Sequence, residues 1–227
     1  MKIIARIYTD FKEKFGIPRQ SGIASESRGR IVFEPEYRAP EALRGLEGYS
    51  HLWLIWEFSE SKREGFSPTV RPPRLGGNKR VGVFATRSPF RPNPIGLSSV
   101  KLERIERTKN EGLVLHVLGA DMLCGTPIYD IKPYLPFTDC HPEATGGFAD
   151  GVRDYAVEVN ISKELLDAVD EDKRGTLIEI LRGDPRPSYK AGGESEYGMR
   201  FSNYEVKFRV EDGVLTVSDI LDCEGTK

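Results

Sequence analysis

Three stretches of this 227-residue chain are too dense in Pro, Gly and Arg for packing alone to explain them. The first, residues 16–22, reads Gly-Ile-Pro-Arg-Gln-Ser-Gly and carries Pro18, Arg19 and Gln20. The second runs from 68 to 96 and carries Arg71, Arg74, Lys79, Arg80, Arg87, Arg91 and Asn93, the last between Pro92 and Pro94. The third, residues 119–136, carries Cys124, Gly125, Thr126, Pro127, Asp130, Lys132 and Tyr134. Proline fixes φ and lowers the entropy lost in holding a loop still, while glycine lets the backbone approach a ligand closely. Stiff loops of this kind, offering guanidinium, amide, carboxylate and phenol groups, suit a preorganised site for a polar or anionic ligand. Tight turns between strands are the plainer reading of the same residues.

Charge favours the site. The net charge is −2, which by itself argues against a nucleic-acid binder. Residues 62–107, however, hold eleven Lys/Arg against three Glu, a local net of +8. Several of those cations sit among Pro and Gly rather than on a periodic face, a pattern that favours contact with an anion. The three cysteines, Cys124, Cys140 and Cys223, are odd in number and far apart, so neither a disulfide framework nor a metal site is expected. The apolar run 52–58 is broken by Glu57 and the first residues are too short for a leader core. No membrane association is expected, and the cytoplasm is the expected compartment.

Positioning these loops requires strands. Residues 3–8, 29–33, 50–58, 81–85, 97–105 and 113–118 are short, β-branched or aromatic, and punctuated by Gly, Pro or Asn. One short helix is expected over 40–46, with Pro in its first turn. Without strand–helix alternation the first part should be an antiparallel barrel or sandwich. The Gly-rich stretch 146–151 marks a junction, dividing the chain at 1–147 and 148–227. Beyond it a strand over 155–161, a helix capped by Ser162, a helix over 174–181 ended by Gly183, and strands over 200–210 and 214–221 joined by an Asp-Gly turn make a small α+β unit. Trp53 and Trp56, three apart on a strand, should face opposite sides. His51, beside Trp53, reads as a buried, hydrogen-bonded histidine, and His116 and His141 have no recognisable partner.

The second and third stretches resemble the signature blocks of the TrmO (TsaA, YaeB-like) family, and the likeness runs nearly end to end. Pro18-Arg19-Gln20, Gly45-Leu46-Glu47, Ser50-His51-Leu52-Trp53 and Asp184-Pro185-Arg186-Pro187-Ser188-Tyr189 support it. The resemblance implies a mainly β protein: a single-sheeted antiparallel β-barrel with a small α+β C-terminal domain, binding S-adenosyl-L-methionine and working as a homodimer. It implies methylation of N6 of N6-threonylcarbamoyladenosine next to the anticodon, position 37 of tRNA. By position, the family's cofactor contacts fall on Pro18, Arg19, Gln20, Ser59, Glu60, Arg87, Leu97, Cys124, Gly125, Thr126 and Pro127. Cys124 stands where relatives commonly have Asp, and Ser59-Glu60 where some have His-Gln; side-chain bonds from those positions would be lost, while backbone contacts would survive.

On that basis Asn93 offers its amide oxygen to the base edge, and Asp130 or Tyr134 handles the N6 proton; Asp130 could equally cap a turn or pair with Lys132. The threonylcarbamoyl carboxylate calls for an Arg fork, Arg91 or Arg71. Arg74, Lys79 and Arg80 are left for anticodon-loop phosphates. Two other readings stand beside this one. One is a non-catalytic barrel module that binds S-adenosylmethionine or a nucleotide. The other is a phosphate-handling enzyme built on Leu75-Gly76-Gly77-Asn78, which lacks a Walker-type Lys and a strand-to-helix setting.

Overall fold

The computed structural model describes residues 1–61, 64–72, 75, 79–186 and 195–223. Strands β1 (Ala5–Thr9), β2 (Arg28–Phe33) and β3 (His51–Glu57) are followed by a two-stranded ribbon, β4 (Thr69–Val70) and β5 (Val81–Gly82). Then come β6 (Ile95–Thr108), β7 (Gly112–Leu118) and β8 (Thr126–Pro133). Six strands close into one antiparallel barrel in the order β1-β2-β7-β6-β3-β8, with β8 returning to β1. The alternation in β3 explains the closure: Leu52, Leu54 and Trp56 are buried while Trp53 and Ile55 are half-exposed. Inward residues of the other strands, Ile7, Ile31, Val100, Leu115 and Ile128 among them, complete that core. The two tryptophans thus face opposite sides, as their spacing requires.

A second core belongs to the sheet β10-β11-β12-β9. After the short helix α1 (Pro136–Asp139), strand β9 (Glu158–Asn160) leads to helices α2 (Lys163–Asp167) and α3 (Glu171–Arg182). Strands β10 (Tyr197–Phe201), β11 (Tyr204–Glu211) and β12 (Val214–Asp222) follow. Ser162 Oγ accepts from Leu165 N–H at 3.3 Å as the α2 cap, and Gly183 closes α3. Asp212 and Gly213 both take positive φ, 48° and 81°, the geometry of the expected tight hairpin turn. The segment between β1 and β2 contributes Phe11 and Ala24 to this second core, with Phe15 and Ile17 packed against it. Gly16, at φ 90°, faces Met199 so closely that a Cβ would lie 2.3 Å from its sulfur. That segment is therefore clamped between barrel and small sheet.

Five expectations are corrected. Residues 40–46 do not form a helix: a 3₁₀ turn over Pro40–Leu43 ends before Gly45, whose φ of 89° breaks the path. Only Val81–Gly82 of the strand expected over 81–85 is extended, and Val83–Ala85 coils into a 3₁₀ turn. The single strand expected over 200–210 is two, hinged at Ser202 with φ 53°. His51 is exposed at the start of β3, its Nδ1 3.0 Å from Ser50 Oγ, and His116 has a partner in Glu106 at 2.8 Å. Strand β8 was hidden in the third loop-like stretch because Pro127 and Pro133 read as breakers. They sit at its two ends, where proline is tolerated. Among the described residues no helix is long and apolar enough to cross a membrane.

Asp184 and Arg186 are nearly buried and joined at 2.8 and 3.0 Å, with Tyr155 donating to Asp184 Oδ2 at 2.8 Å. Burial pulls the Asp184 carboxyl upward, but the Arg186 and Tyr155 bonds outweigh it and hold it below its ordinary value. Arg186→Met should therefore destabilise the protein by about 2–3 kcal/mol, because the carboxylate stays buried without its cation. A depressed pKa contributes stability above the unfolded value, lost as pH falls through the folded one. Denaturant melts at pH 7 and below pH 4 should show the deficit shrinking with acid, and an unchanged deficit would refute the assignment.

Candidate active site at the barrel mouth

The three stretches singled out in the sequence converge on one cleft of about 1170 Å³, ample for a small-molecule ligand and a nucleobase together. Backbone contacts bring them there. Gly22 N–H donates to the Gly119 carbonyl at 3.0 Å, and Gly119 N–H to the Ser27 carbonyl at 2.8 Å. Gly119 is left-handed at φ 81°, and a Cβ there would meet Gly22 at 3.2 Å; only glycine suits this crossing. Arg87 from the second stretch then donates to Gln20 Oε1 in the first. Arg19 reaches the carbonyl of Asp184 at 3.3 Å, tying the first loop to the C-terminal unit.

Asp121 stands at the centre. It lines the cleft, and Ser98 Oγ donates to its Oδ1 at 2.6 Å while Trp56 Nε1 donates to Ser98 Oγ at 3.0 Å. Burial pushes its carboxyl up to about 6, against the opposing pull of Ser98, backbone N–H groups and the Arg87 charge. A carboxylate at that value is matched to taking a proton near neutral pH. Sequence reading missed it. Its signal is faint: an acidic residue three positions past a strand, flanked by Ala120 and Met122, both buried.

Of the expected cofactor contacts, Pro18, Arg19, Gln20, Ser59, Glu60, Arg87, Leu97 and Thr126 line this cleft. Cys124, Gly125 and Pro127 do not. Cys124 borders a separate, smaller depression with Tyr8, Arg28 and His116. The Cys124 and Gly125 N–H groups are committed to the carbonyls of Phe11 and Ile7, both at 2.8 Å, and Arg6 takes the Gly125 carbonyl at 3.1 Å. These backbone groups are thus engaged within the chain.

Arg71, Arg80, Arg91 and Asn93 line the cleft as well. Arg91 is held by the carbonyls of Thr86 and Ser88 at 3.1 and 3.4 Å, both through Nη1, which orients the rest of its fork. Lys79 is exposed and off the lining. Arg74 and Gly76-Gly77-Asn78 lie outside the described residues. Asp130 and Tyr134 lie elsewhere. A bulge between Ile55 and Trp56 sets two β8 residues against one of β3, and beyond it Asp130 shares the outer face with Lys132, paired at 3.1 Å. Tyr134 packs on Trp53 with ring centroids 5.5 Å apart. Neither lines the cleft.

The model of the tRNA-methyltransferase O N-terminal domain matches residues 6–140, and that of the TrmO C-terminal domain matches 154–223. The chain belongs to the TrmO family. Relatives of the family similar to it include a tRNA (adenine(37)-N6)-methyltransferase of Escherichia coli K12, 41% identical with 92% of each chain covered. A protein of the same description from Eikenella corrodens is 46% identical, covering 78% of this chain and 99% of the relative. Among solved structures, TrmO from Pseudomonas aeruginosa superposes with a TM-score of 0.78 at 33% identity, covering 97% of this chain and 95% of that one. The barrel expected from the resemblance is the one observed.

Proposed function

We propose that this protein transfers a methyl group from S-adenosylmethionine to N6 of the adenosine at position 37 of tRNA, and that the adenosine is threonylcarbamoylated. The single observation that carries the reading is Asp121, held by Ser98 beside Arg87 where all three loops meet. The chemistry of the lining fits the methyl donor. Apolar walls from Phe58, Phe90, Ile95 and Leu97 suit an adenine ring, Arg19 and Arg87 suit its carboxylate, and Asp121 and Glu57 suit its cationic centre. S-adenosylmethionine supplies a methyl group already activated on a sulfonium. The chain's own task is then to align the acceptor, exclude water and accept one proton.

N6 of the modified base is a poor nucleophile, because its lone pair is shared with the purine ring and the carbamoyl carbonyl. As the N–CH₃ bond forms and the sulfonium S–CH₃ bond breaks, leaving the neutral thioether S-adenosylhomocysteine, the N6 proton passes to a carboxylate oxygen of Asp121. Asn93, exposed between two prolines, offers its amide to the base edge. Arg91, or Arg71, which also lines the cleft, offers a fork to the threonylcarbamoyl carboxylate. Arg80 faces phosphate.

Nucleoside mass spectrometry of threonylcarbamoylated tRNA incubated with protein and S-adenosylmethionine should show a gain of one methyl on that base. Absence of product, with the donor bound in calorimetry, would favour the non-catalytic module instead. Arg91→Lys should lower the preference for threonylcarbamoylated over unmodified tRNA by roughly tenfold, the loss of about one charged hydrogen bond. Equal loss on both RNAs would move Arg91 to the phosphates.

A further inference from the structure

Beside the cleft two phenylalanines stand in water. Phe84 is 73% exposed and Phe66 54%, with ring centroids 6.2 Å apart and planes 27° from parallel. Neither ring belongs to either core. Their backbone is nevertheless fixed. Val83, next to Phe84, is 1% exposed, and its N–H donates at 2.9 Å to the carbonyl of Pro68, two residues past Phe66. Thr86 closes the turn on the Val83 carbonyl through its N–H at 3.1 Å and its Oγ1 at 2.8 Å. The β4–β5 ribbon joins the two segments, and Arg80 spans it by donating to Thr69 Oγ1 at 2.8 Å.

A pair of stacked rings has been placed on the most basic segment of the chain, the same segment that carries cleft-lining Arg71 and Arg80. Exposed aromatic surface of this extent marks a contact. A cationic border to an apolar platform is what an unpaired nucleobase with its phosphate requires. We propose that Phe84 and Phe66 form a stacking platform for an unpaired base of the anticodon loop adjacent to the target adenosine. The inference rests on tRNA being the substrate.

The test is equilibrium binding of a labelled anticodon stem–loop RNA, read by fluorescence anisotropy, with the KM for tRNA measured alongside. Phe84→Ala and Phe66→Ala should each weaken binding roughly 5- to 100-fold, the range of one lost base–aromatic stack, and raise KM in step. Phe84→Trp should bind at least as tightly as the unaltered protein. Affinity for S-adenosylmethionine, measured by calorimetry, should not move in any of them, which also reports an intact fold. A stem–loop with an abasic nucleotide at the stacked position should bind the unaltered protein more weakly, and Phe84→Ala should weaken that RNA no further. Equal weakening on intact and abasic RNA would overturn the platform. So would undiminished RNA affinity in both alanine variants while the unaltered protein methylates tRNA, and that result leaves the methyltransferase reading standing. A changed sedimentation coefficient of RNA-free Phe84→Ala, with RNA affinity intact, would assign the rings to a protein contact and overturn it too. Failure of the unaltered protein to bind or methylate tRNA overturns both readings.

Discussion

Asp121→Asn should slow methyl transfer by roughly 10²- to 10⁴-fold, the range contributed by a positioned general base, while making the protein more stable above pH 6. The two effects share one cause. Burial holds the folded-state carboxyl at about 6 against an ordinary 3.8, so the folded protein binds a proton that the unfolded chain has already released. Stability therefore falls as pH rises from about 4 to 6, and the full penalty is present above that. Near 1.4 kcal/mol per pH unit, the penalty is on the order of 2–3 kcal/mol. Asparagine keeps an oxygen for Ser98 and removes the charge. Thermal melts at pH 8 should show the variant above the unaltered protein, with the difference vanishing below pH 4. Single-turnover rates of the unaltered protein should rise with pH through about 6. A variant that methylates within threefold of the unaltered rate would remove Asp121 from the reaction, whatever its stability.

Gly96→Ala should be nearly as damaging for a different reason. A Cβ at Gly96 would lie 2.2, 2.4 and 2.6 Å from three atoms of the Trp56 indole. That indole is buried, packs on Phe58 at 4.2 Å, and holds Ser98 in place for Asp121. Overpacking of this kind typically costs 1–3 kcal/mol, and displacing the ring breaks the hydrogen-bond chain to the carboxylate. Loss of about 2–3 kcal/mol in denaturant unfolding and at least tenfold in turnover is expected. Gly82→Ala is the control, since its added Cβ meets nothing within 4 Å and its φ is −58°. Combining Gly96→Ala with Trp56→Phe relieves the clash but cannot restore the indole N–H. It should recover stability and leave turnover low. Recovery of both would mean that the Trp56–Ser98 link is not what positions Asp121.

Both substitutions act on a chain of contacts that crosses three elements, from Trp56 on β3 through Ser98 on β6 to Asp121 after β7. Each link is ordinary in itself. Together they turn a buried carboxylate, which the fold would be more stable without, into a group poised within the field of Arg87. Such local cost is common where a site is built for chemistry rather than packing.

Much of this protein is local and was legible in its sequence. The barrel strands follow from runs of alternating apolar residues, the Asp-Gly hairpin and the Ser162 cap from turn and capping chemistry, and the three candidate loops from their Pro, Gly and Arg content. That those loops meet, and which of their side chains face inward, depended on the barrel's register and on one bulge in β8. Side chains alternate with period two, so a single extra residue turned Asp130 outward, while left-handed Gly119, just past the end of β7, breaks the alternation before Asp121 and leaves it lining the cleft. Spacing along a chain carries no record of such a reversal. Only closing the sheet through β8, and clamping the first loop against the C-terminal sheet, decided that Asp121 rather than Asp130 lines the cleft.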